Sequence, residues 1–321
     1  MTSILIKVPN WLGDAVMSSY AIEAIKELYN NPKITLLGRA HILEYFKLDS
    51  YNYEFIEDST KTSKSRIVAT IQLGKKLEAY DIAFSFTNSF LSALLLYLSG
   101  SKKRVGFTRE LRGALLTHKL QKSSSHQAYE YLRLASFEQE GVLTKKSLNF
   151  TPTTKDKNTI IIAPGAAYGS AKRWGEDRFA ELITQKQELY FKLVGAKSDS
   201  DICKSIENIC LKHGASNFIN LCGKTTIKEL AENIKKAKVV ISNDSGVMHL
   251  AAALKTKVVA IFGPTDETRT SIWDETENII IKKETSCAPC KHRICPKESH
   301  LCMEKILPKD VILAIESLGD L

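Results

Sequence analysis

Asp14 is the first residue whose type and placement could do chemistry. It sits in Pro9-Asn10-Trp11-Leu12-Gly13-Asp14-Ala15-Val16-Met17-Ser18, directly after an apolar run over residues 3–8. A Gly-containing turn between a strand and a helix brings backbone N–H groups to the carboxyl end of a sheet. An acid there has two readings. It caps the helix, the commoner role, or it works as a general base in a cleft. A helix N-terminus stabilises the anion and lowers its basicity, yet a weak base suffices for attack on an oxocarbenium-like centre.

Two further segments pair with it. Ala163-Pro164-Gly165-Ala166-Ala167-Tyr168-Gly169-Ser170-Ala171-Lys172-Arg173-Trp174 is a small-residue loop that ends in two cations, able to neutralise a phosphate if not merely solvated. Ile241-Ser242-Asn243-Asp244-Ser245-Gly246-Val247-Met248-His249 reads as a strand, a small polar turn and a helix start. The N–H groups of Ser245, Gly246 and Val247 and the Ser245 hydroxyl suit an anion. Asp244 either accepts from sugar hydroxyls or caps the helix. His249 reaches a bound phosphate or simply packs. Phe262-Gly263-Pro264-Thr265-Asp266 ends the next strand on the same rim. Neither a G-x-G-x-x-G fingerprint nor a G-x-x-x-x-G-K-[ST] loop occurs.

The elements that must position these residues alternate. Apolar runs of strand length at 3–8, 33–37, 52–56, 82–86 and 104–107 are separated by helical patterns near 14–30, 65–79, 89–98 and 126–140. A second set of strands at 159–163, 190–194, 239–242 and 258–262 alternates with helices near 176–186, 198–213, 226–236 and 246–254. Nearly continuous apolar strands between helices imply parallel sheets covered on both faces. The fold class is therefore α/β, with two doubly wound Rossmann-like domains facing across a cleft. The Thr-, Lys- and Ser-rich stretch 143–157 is the expected linker, giving domains 1–153 and 154–321. At 321 residues the chain is long enough for two cores.

Composition excludes several classes. Hydrophobic content of 44% and charged content of 25% exclude a disordered chain. Residues 82–101 carry no charge, but Ser85, Thr87, Asn88, Ser89 and Ser92 interrupt them, so a buried strand and a helix capped by Asn88 or Ser89 are expected instead of a membrane span. Seven Cys do not read as a secreted disulfide framework, and a cytoplasmic protein is expected. Cys287, Cys290, Cys295 and Cys302 fall within sixteen residues, which fits either a structural Zn²⁺ site or reduced thiols with no ion. Of the net charge of +9, residues 101–124 hold Lys102, Lys103, Arg104, Arg109, Arg112, Lys119 and Lys122 against Glu110. That is either a solvated face or a patch for an anionic partner.

Together, in this order, the segments resemble the ADP-heptose–lipopolysaccharide heptosyltransferases, inverting glycosyltransferases of the GT-B fold, and most of all their heptosyltransferase II branch. The likeness is carried by Pro9–Ser18, Asn88-Ser89-Phe90, Arg104–Leu115, Pro164–Trp174, Asn243–Ala253 and Gly263-Pro264-Thr265. The resemblance implies that the N-terminal domain takes a heptosyl-Kdo-lipid A acceptor, with Asn88, Ser89, Arg104, Arg109 and Arg112 lining its site. The C-terminal domain would take ADP-heptose, with Asp244, Ser245, Gly246 and His249 at the diphosphate and Gly195 and Thr225 bordering the adenosine. Asp14 would be the catalytic base and Lys172 the charge partner of the leaving diphosphate. No cofactor or catalytic metal would be required, and structural Zn is left open.

On this reading the basic segment serves Kdo carboxylates, lipid A phosphates and the anionic cytoplasmic face of the inner membrane, where the enzyme would be peripheral, and a nucleic-acid partner is not expected. The competing readings are a GT-B transferase for another nucleotide-sugar and a non-catalytic two-lobed anion-binding protein.

Overall fold

The computed structural model describes residues 1–139, 144–150 and 153–318, with the Glu110 side chain excepted. Leu143, Thr151 and Pro152 of the expected linker, and Glu140 at the end of an expected helix, lie outside the described residues. The chain divides into two compact units, Met1–Phe150 and Thr151–Leu321.

The first unit holds β1 (Ser3–Lys7), β2 (Lys33–Gly38), β3 (Glu54–Glu57), β4 (Ile82–Ser85), β5 (Lys103–Phe107) and β6 (His118–Leu120). All pair in parallel, in the order β3-β2-β1-β4-β5-β6. Its helices are α1 (Leu12–Leu28), α2 (Ala40–Phe46), α3 (Arg66–Lys76), α4 (Phe90–Leu98) and α5 (Gln127–Ala135). Parallel strands need a crossover, and the helices supply it while covering the sheet. Ile4, Leu5 and Ile6 of β1 are fully buried, as a strand packed on both faces must be. α1 is buried over Ala15–Lys26 and packs on α5. The uncharged 82–101 stretch is β4 followed by α4, and Ser89 is the N-cap, accepting from Ser92 N at 3.2 Å.

The second unit repeats the plan with β7 (Thr159–Ala163), β8 (Tyr190–Leu193), β9 (Phe218–Asn220), β10 (Val239–Asn243), β11 (Lys257–Ile261) and β12 (Asn278–Ile281), ordered β12-β11-β10-β7-β8-β9, all parallel. Its helices are α6 (Glu176–Gln185), α7 (Ser200–Lys212), α8 (Ile227–Lys236), α9 (Gly246–Ala253), α10 (Glu267–Thr270), α11 (Leu301–Glu304) and α12 (Pro308–Ser317). One core joins Ile160, Ile162, Phe179, Phe191, Val259 and Trp174. Trp174 stacks edge-on against Phe179 and donates from Nε1 to Ile306 O at 2.8 Å.

Both sheets reverse strand order at one place, between β1 and β4 and between β7 and β10. In open α/β sheets ligands bind outside the carboxyl ends of the strands at such a point. Sequence periodicity finds the strands and helices that flank it. It misses β6, β9 and β12, which are edge strands of three or four residues, and the short or peripheral helices α2, α10, α11 and α12. Edge strands are only half covered, so they lack the continuous apolar run.

Candidate active site

At the switch point of the second unit, the loop after β7 delivers Lys172 and the turn after β10 delivers Asp244. Lys172 is buried, and its Nζ lies 2.5 Å from Asp244 Oδ2 and 4.8 Å from the centre of the Tyr168 ring. Thr265, from the Gly263-Pro264-Thr265 turn after β11, donates to the same Asp244 oxygen at 2.6 Å. Three expected segments therefore converge on one carboxylate. Asn243 locks two of them together. Its Nδ2 donates to Pro164 O at 2.7 Å, and its Oδ1 accepts from Trp174 N at 3.2 Å.

Asp244 is not the helix cap. Ser245 takes that place at the start of α9, accepting from Val247 N at 3.3 Å, and its hydroxyl also meets Ser242 Oγ at 2.9 Å. Gly246 opens the helix, so its N–H group is among the donors left without an intrahelical partner at the helix start. His249 is buried one turn further in. Gly195 follows β8 and is bonded to the turn after β9 through Gly223 N at 2.9 Å. That turn leads to Thr225. The neighbouring Thr226 caps α8 in a capping box with Glu229. Gly165 cannot carry a side chain, since a Cβ there would lie 2.3 Å from Asp199 Cγ. The loops after β7 and β8 are thereby pressed together around Asp199.

At the switch point of the first unit, Asp14 occupies the third helical position of α1. The N-cap is Trp11, with no side-chain cap bond. Tyr131 of α5 donates its hydroxyl to Asp14 Oδ1 at 3.3 Å. Burial, together with the Asp14 carboxylate, holds the Tyr131 phenol far above its ordinary value, so it remains a donor. Sequence reasoning missed Tyr131, which looks like one more apolar position of α5. On the β4 side, Asn88 has a buried Oδ1 with no hydrogen-bond partner, and Ser89 is exposed.

A small polar pocket on this rim contains residues the sequence reading passed over: Lys7, Asn10, Asp58, Lys61 and Arg66, beside Ser89. Lys7 Nζ stands 2.9 Å from Asp58 Oδ2, a buried ion pair. Burial, with Lys61 and Arg66, pulls the Lys7 ammonium below its usual value, against the opposing pull of Asp58. The signal was a lysine inside the apolar run Ile4-Leu5-Ile6-Lys7-Val8, immediately before the Asp14 motif.

The basic segment needs correction. Arg112 is buried and tied inward, with NH1 donating to Phe107 O at 2.7 Å and NH2 to Ser85 Oγ at 3.0 Å. Burial lowers its guanidinium to about 10. It braces β4 against β5 and is not offered to an acceptor. Arg104 lies near the amino end of β5, away from the ligand rim, and donates to Leu115 O and Ser101 O. Lys102 pairs with Asp81 and Lys103 with Glu138. The seven cations are therefore not one patch. Of the three arginines, Arg109 alone is exposed and follows a carboxyl end, that of β5.

Cys287, Cys290, Cys295 and Cys302 line one cavity of about 100 Å³. Burial and the other three thiols push Cys302 up. Among the described residues, no three His, Cys, Asp or Glu side chains already stand as a metal site.

Two doubly wound α/β units, each a six-stranded parallel sheet with surrounding helices, are the architecture of the GT-B glycosyltransferases. The model of glycosyltransferase family 9 (heptosyltransferase) matches residues 70–301, and the chain belongs to that family. It is 34% identical to the lipooligosaccharide heptosyltransferase 2 of Campylobacter jejuni serotype O:6, over 98% of this chain and 99% of that protein. The lipopolysaccharide heptosyltransferase 2 of Escherichia coli K12 is 26% identical, over 81% of this chain and 82% of that one. In structure the chain is similar to E. coli ADP-heptose lps heptosyltransferase II, with a TM-score of 0.80 and 23% identity, covering 99% of this chain and 98% of that one. The chain is thus a glycosyltransferase of the heptosyltransferase family.

Proposed function

We propose that this enzyme moves heptose from ADP-heptose to the first heptose of a Kdo–lipid A inner core, with inversion at the anomeric carbon. The observation that carries the reading is the complementary chemistry of the two switch points, a carboxylate at a helix start in one unit and a buried ammonium beside a second helix start in the other. The relatives named heptosyltransferase 2, at up to 34% identity over nearly the whole chain, support the choice of donor and acceptor.

The second unit, residues 154–321 in this reading, binds the donor. Lys172 and the N–H groups at Ser245 and Gly246 face the diphosphate, His249 supports them, and Gly195 and Thr225 border the adenosine. The first unit, residues 1–153, binds the acceptor near Asn88, Ser89 and Arg109. Asp14 takes the proton of the attacking hydroxyl, the new C–O bond forms at the anomeric carbon, and the bond to the diphosphate breaks with its electron pair leaving on ADP. Lys172 is released from Asp244 to meet that charge. Such electrostatic stabilisation is commonly the largest catalytic contribution. No step calls for a metal.

Trp11, Ile67, Phe90 and Leu111 are exposed at 58%, 60%, 45% and 81% on the segments that follow β1, β3, β4 and β5. Apolar groups beside Arg109 on the acceptor rim suit a lipid-anchored substrate at an anionic membrane face. Among the described residues no helix is long and apolar enough to cross a membrane.

The test is incubation of the purified enzyme with ADP-heptose and heptosyl-Kdo-lipid A, followed by mass analysis. The acceptor is expected to gain one heptose. Transfer from a different nucleotide-sugar only, or binding of ADP-heptose with no product, overturns the reading.

A further inference from the structure

The Cys-rich loop before α11 takes no part in the transfer chemistry, yet it is tied to the residues that carry it. Lys291 N donates to Pro264 O at 2.8 Å, and Ala171 N donates to Arg293 O at 3.0 Å. Tyr168 donates its hydroxyl to Lys291 O at 2.6 Å. The Tyr168 ring lies between two cations, with Arg293 Cζ 5.2 Å from its centre and Lys172 Nζ 4.8 Å from it. The approach is so close at Gly169 that a Cβ would lie 2.2 Å from Arg293 O. This loop sets the position of the segment that carries Lys172. It nevertheless has little regular structure between β12 and α11, and Lys291, Arg293 and Ile294 are exposed. A long loop with so few elements of its own needs another constraint to hold a fixed course.

Two observations point to the constraint. All four thiols, from Cys287-x2-Cys290-x4-Cys295-x6-Cys302, share the wall of one cavity. Lys291, directly after the second thiol, has φ +59, so the chain turns sharply there. The second observation is His300. It lies on the same wall, and its Nε2 is buried with no hydrogen-bond partner. An orphaned buried nitrogen costs free energy unless something answers it.

We propose that Cys287, Cys290, Cys295 and Cys302 bind one Zn²⁺, with His300 donating to a coordinated sulfur, and that this ion pins the loop carrying Lys172. On binding, four Zn–S bonds form, four S–H bonds break, and the protons go to solvent. The centre carries a net charge of −2, which Lys291, Arg293 and Lys297 of the same loop offset. Thiolate sulfur in a tetrahedral set is the donor type that zinc takes in structural sites. The thiols must turn toward the ion to reach it, so zinc completes the site as it binds, which is the usual coupling of metal binding to local folding. His300 then gains a thiolate acceptor for its Nε2–H, the kind of outer partner that tunes metal affinity.

The inference is independent of the sugar transferred, and its test reads metal content. The full chain, purified with a metal-free reductant, is analysed for zinc and iron by mass spectrometry, stripped with chelator, and reloaded with Zn²⁺ or Co²⁺. One zinc per chain is expected, with a cobalt spectrum of four thiolates in a tetrahedral field. Cys290→Ser and Cys295→Ser, both at half-buried positions, are expected to lose the metal, and Cys210→Ser to keep it. His300→Ala is expected to keep the stoichiometry with affinity lowered by roughly 10–100-fold. Hydrogen exchange over residues 166–173 is expected to rise when zinc is removed and fall when it is restored. A wild-type chain that stays metal-free in excess zinc, or that holds iron instead, overturns the proposal. So does exchange at 166–173 that ignores the metal.

Discussion

The two units use one topology, and each sets a buried Lys–Asp pair at the carboxyl end of its sheet. Lys7–Asp58 occupies the first unit and Lys172–Asp244 the second. They differ in what carries the lysine. Lys7 belongs to β1 itself, locked by parallel pairing on both sides. Lys172 belongs to a loop rich in Gly, Ala and Ser, outside the pairing of the sheet. A strand lysine can shape a pocket, but its ammonium has little freedom to follow a developing charge. A loop lysine parked on Asp244 has such freedom. The helix starts differ in the opposite sense. α1 presents a carboxylate to its rim, and α9 presents only N–H groups and a serine hydroxyl, which is the difference the proposed roles of proton acceptor and anion holder call for.

Four measurements can break or sharpen that comparison. The largest effect is expected for Lys172→Ala, with transfer slowed by about 10²–10³-fold and ADP affinity weakened while the melting profile stays. Unchanged donor kinetics would remove the loop lysine from the anion site. Next comes Arg112→Ala, which leaves a cavity and two unpaired acceptors behind β4 and β5. The first unit should lose about 3 kcal/mol, read by hydrogen exchange of β4 and β5, with β7 and β10 unaffected. If both units weaken equally, their independence fails.

Ser245→Ala removes the α9 cap and, in the proposed donor site, one hydroxyl that faces the diphosphate. About 1 kcal/mol of stability should be lost in the second unit, together with some ADP affinity. The smallest effect concerns acid. Burial alone would raise the Asp58 carboxyl, but Lys7 and Thr60 hold it below its ordinary value of 3.8. A depressed carboxyl stabilises the folded state above that value and ceases to as pH falls through the folded one. The first unit should therefore lose stability progressively below about pH 3.8, and Asp58→Asn should flatten that slope in urea titrations.

Much of this was legible in the residues. Fully buried central strands announce themselves as apolar runs, and the turns after β1, β7 and β10 stand out by their Gly, Ser, Asn and Asp. What was hidden depends on long-range packing. Nothing local says that Arg112 folds under β5 while Arg109, three residues earlier, stays in solvent. Counting charges along a segment cannot tell a patch from a set of cations already paired with Asp81 and Glu138. Tyr131 was invisible for the same reason, because its partner lies 117 residues away. For Asp244 two roles were open, and the structure removes the helix cap, which Ser245 supplies; its bond to Lys172 spans 72 residues and could not be read locally.

The division of labour between the units rests on Asp14. Its most direct test is the rate of heptose transfer by Asp14→Asn at saturating donor and acceptor, with ADP binding measured on the same preparation. A fall of roughly 10²–10⁴-fold in kcat is expected, with ADP affinity and melting unchanged, because the variant keeps its shape and loses only the proton acceptor. Transfer at the wild-type rate would contradict the account and leave the Asp14 carboxylate a structural group of α1.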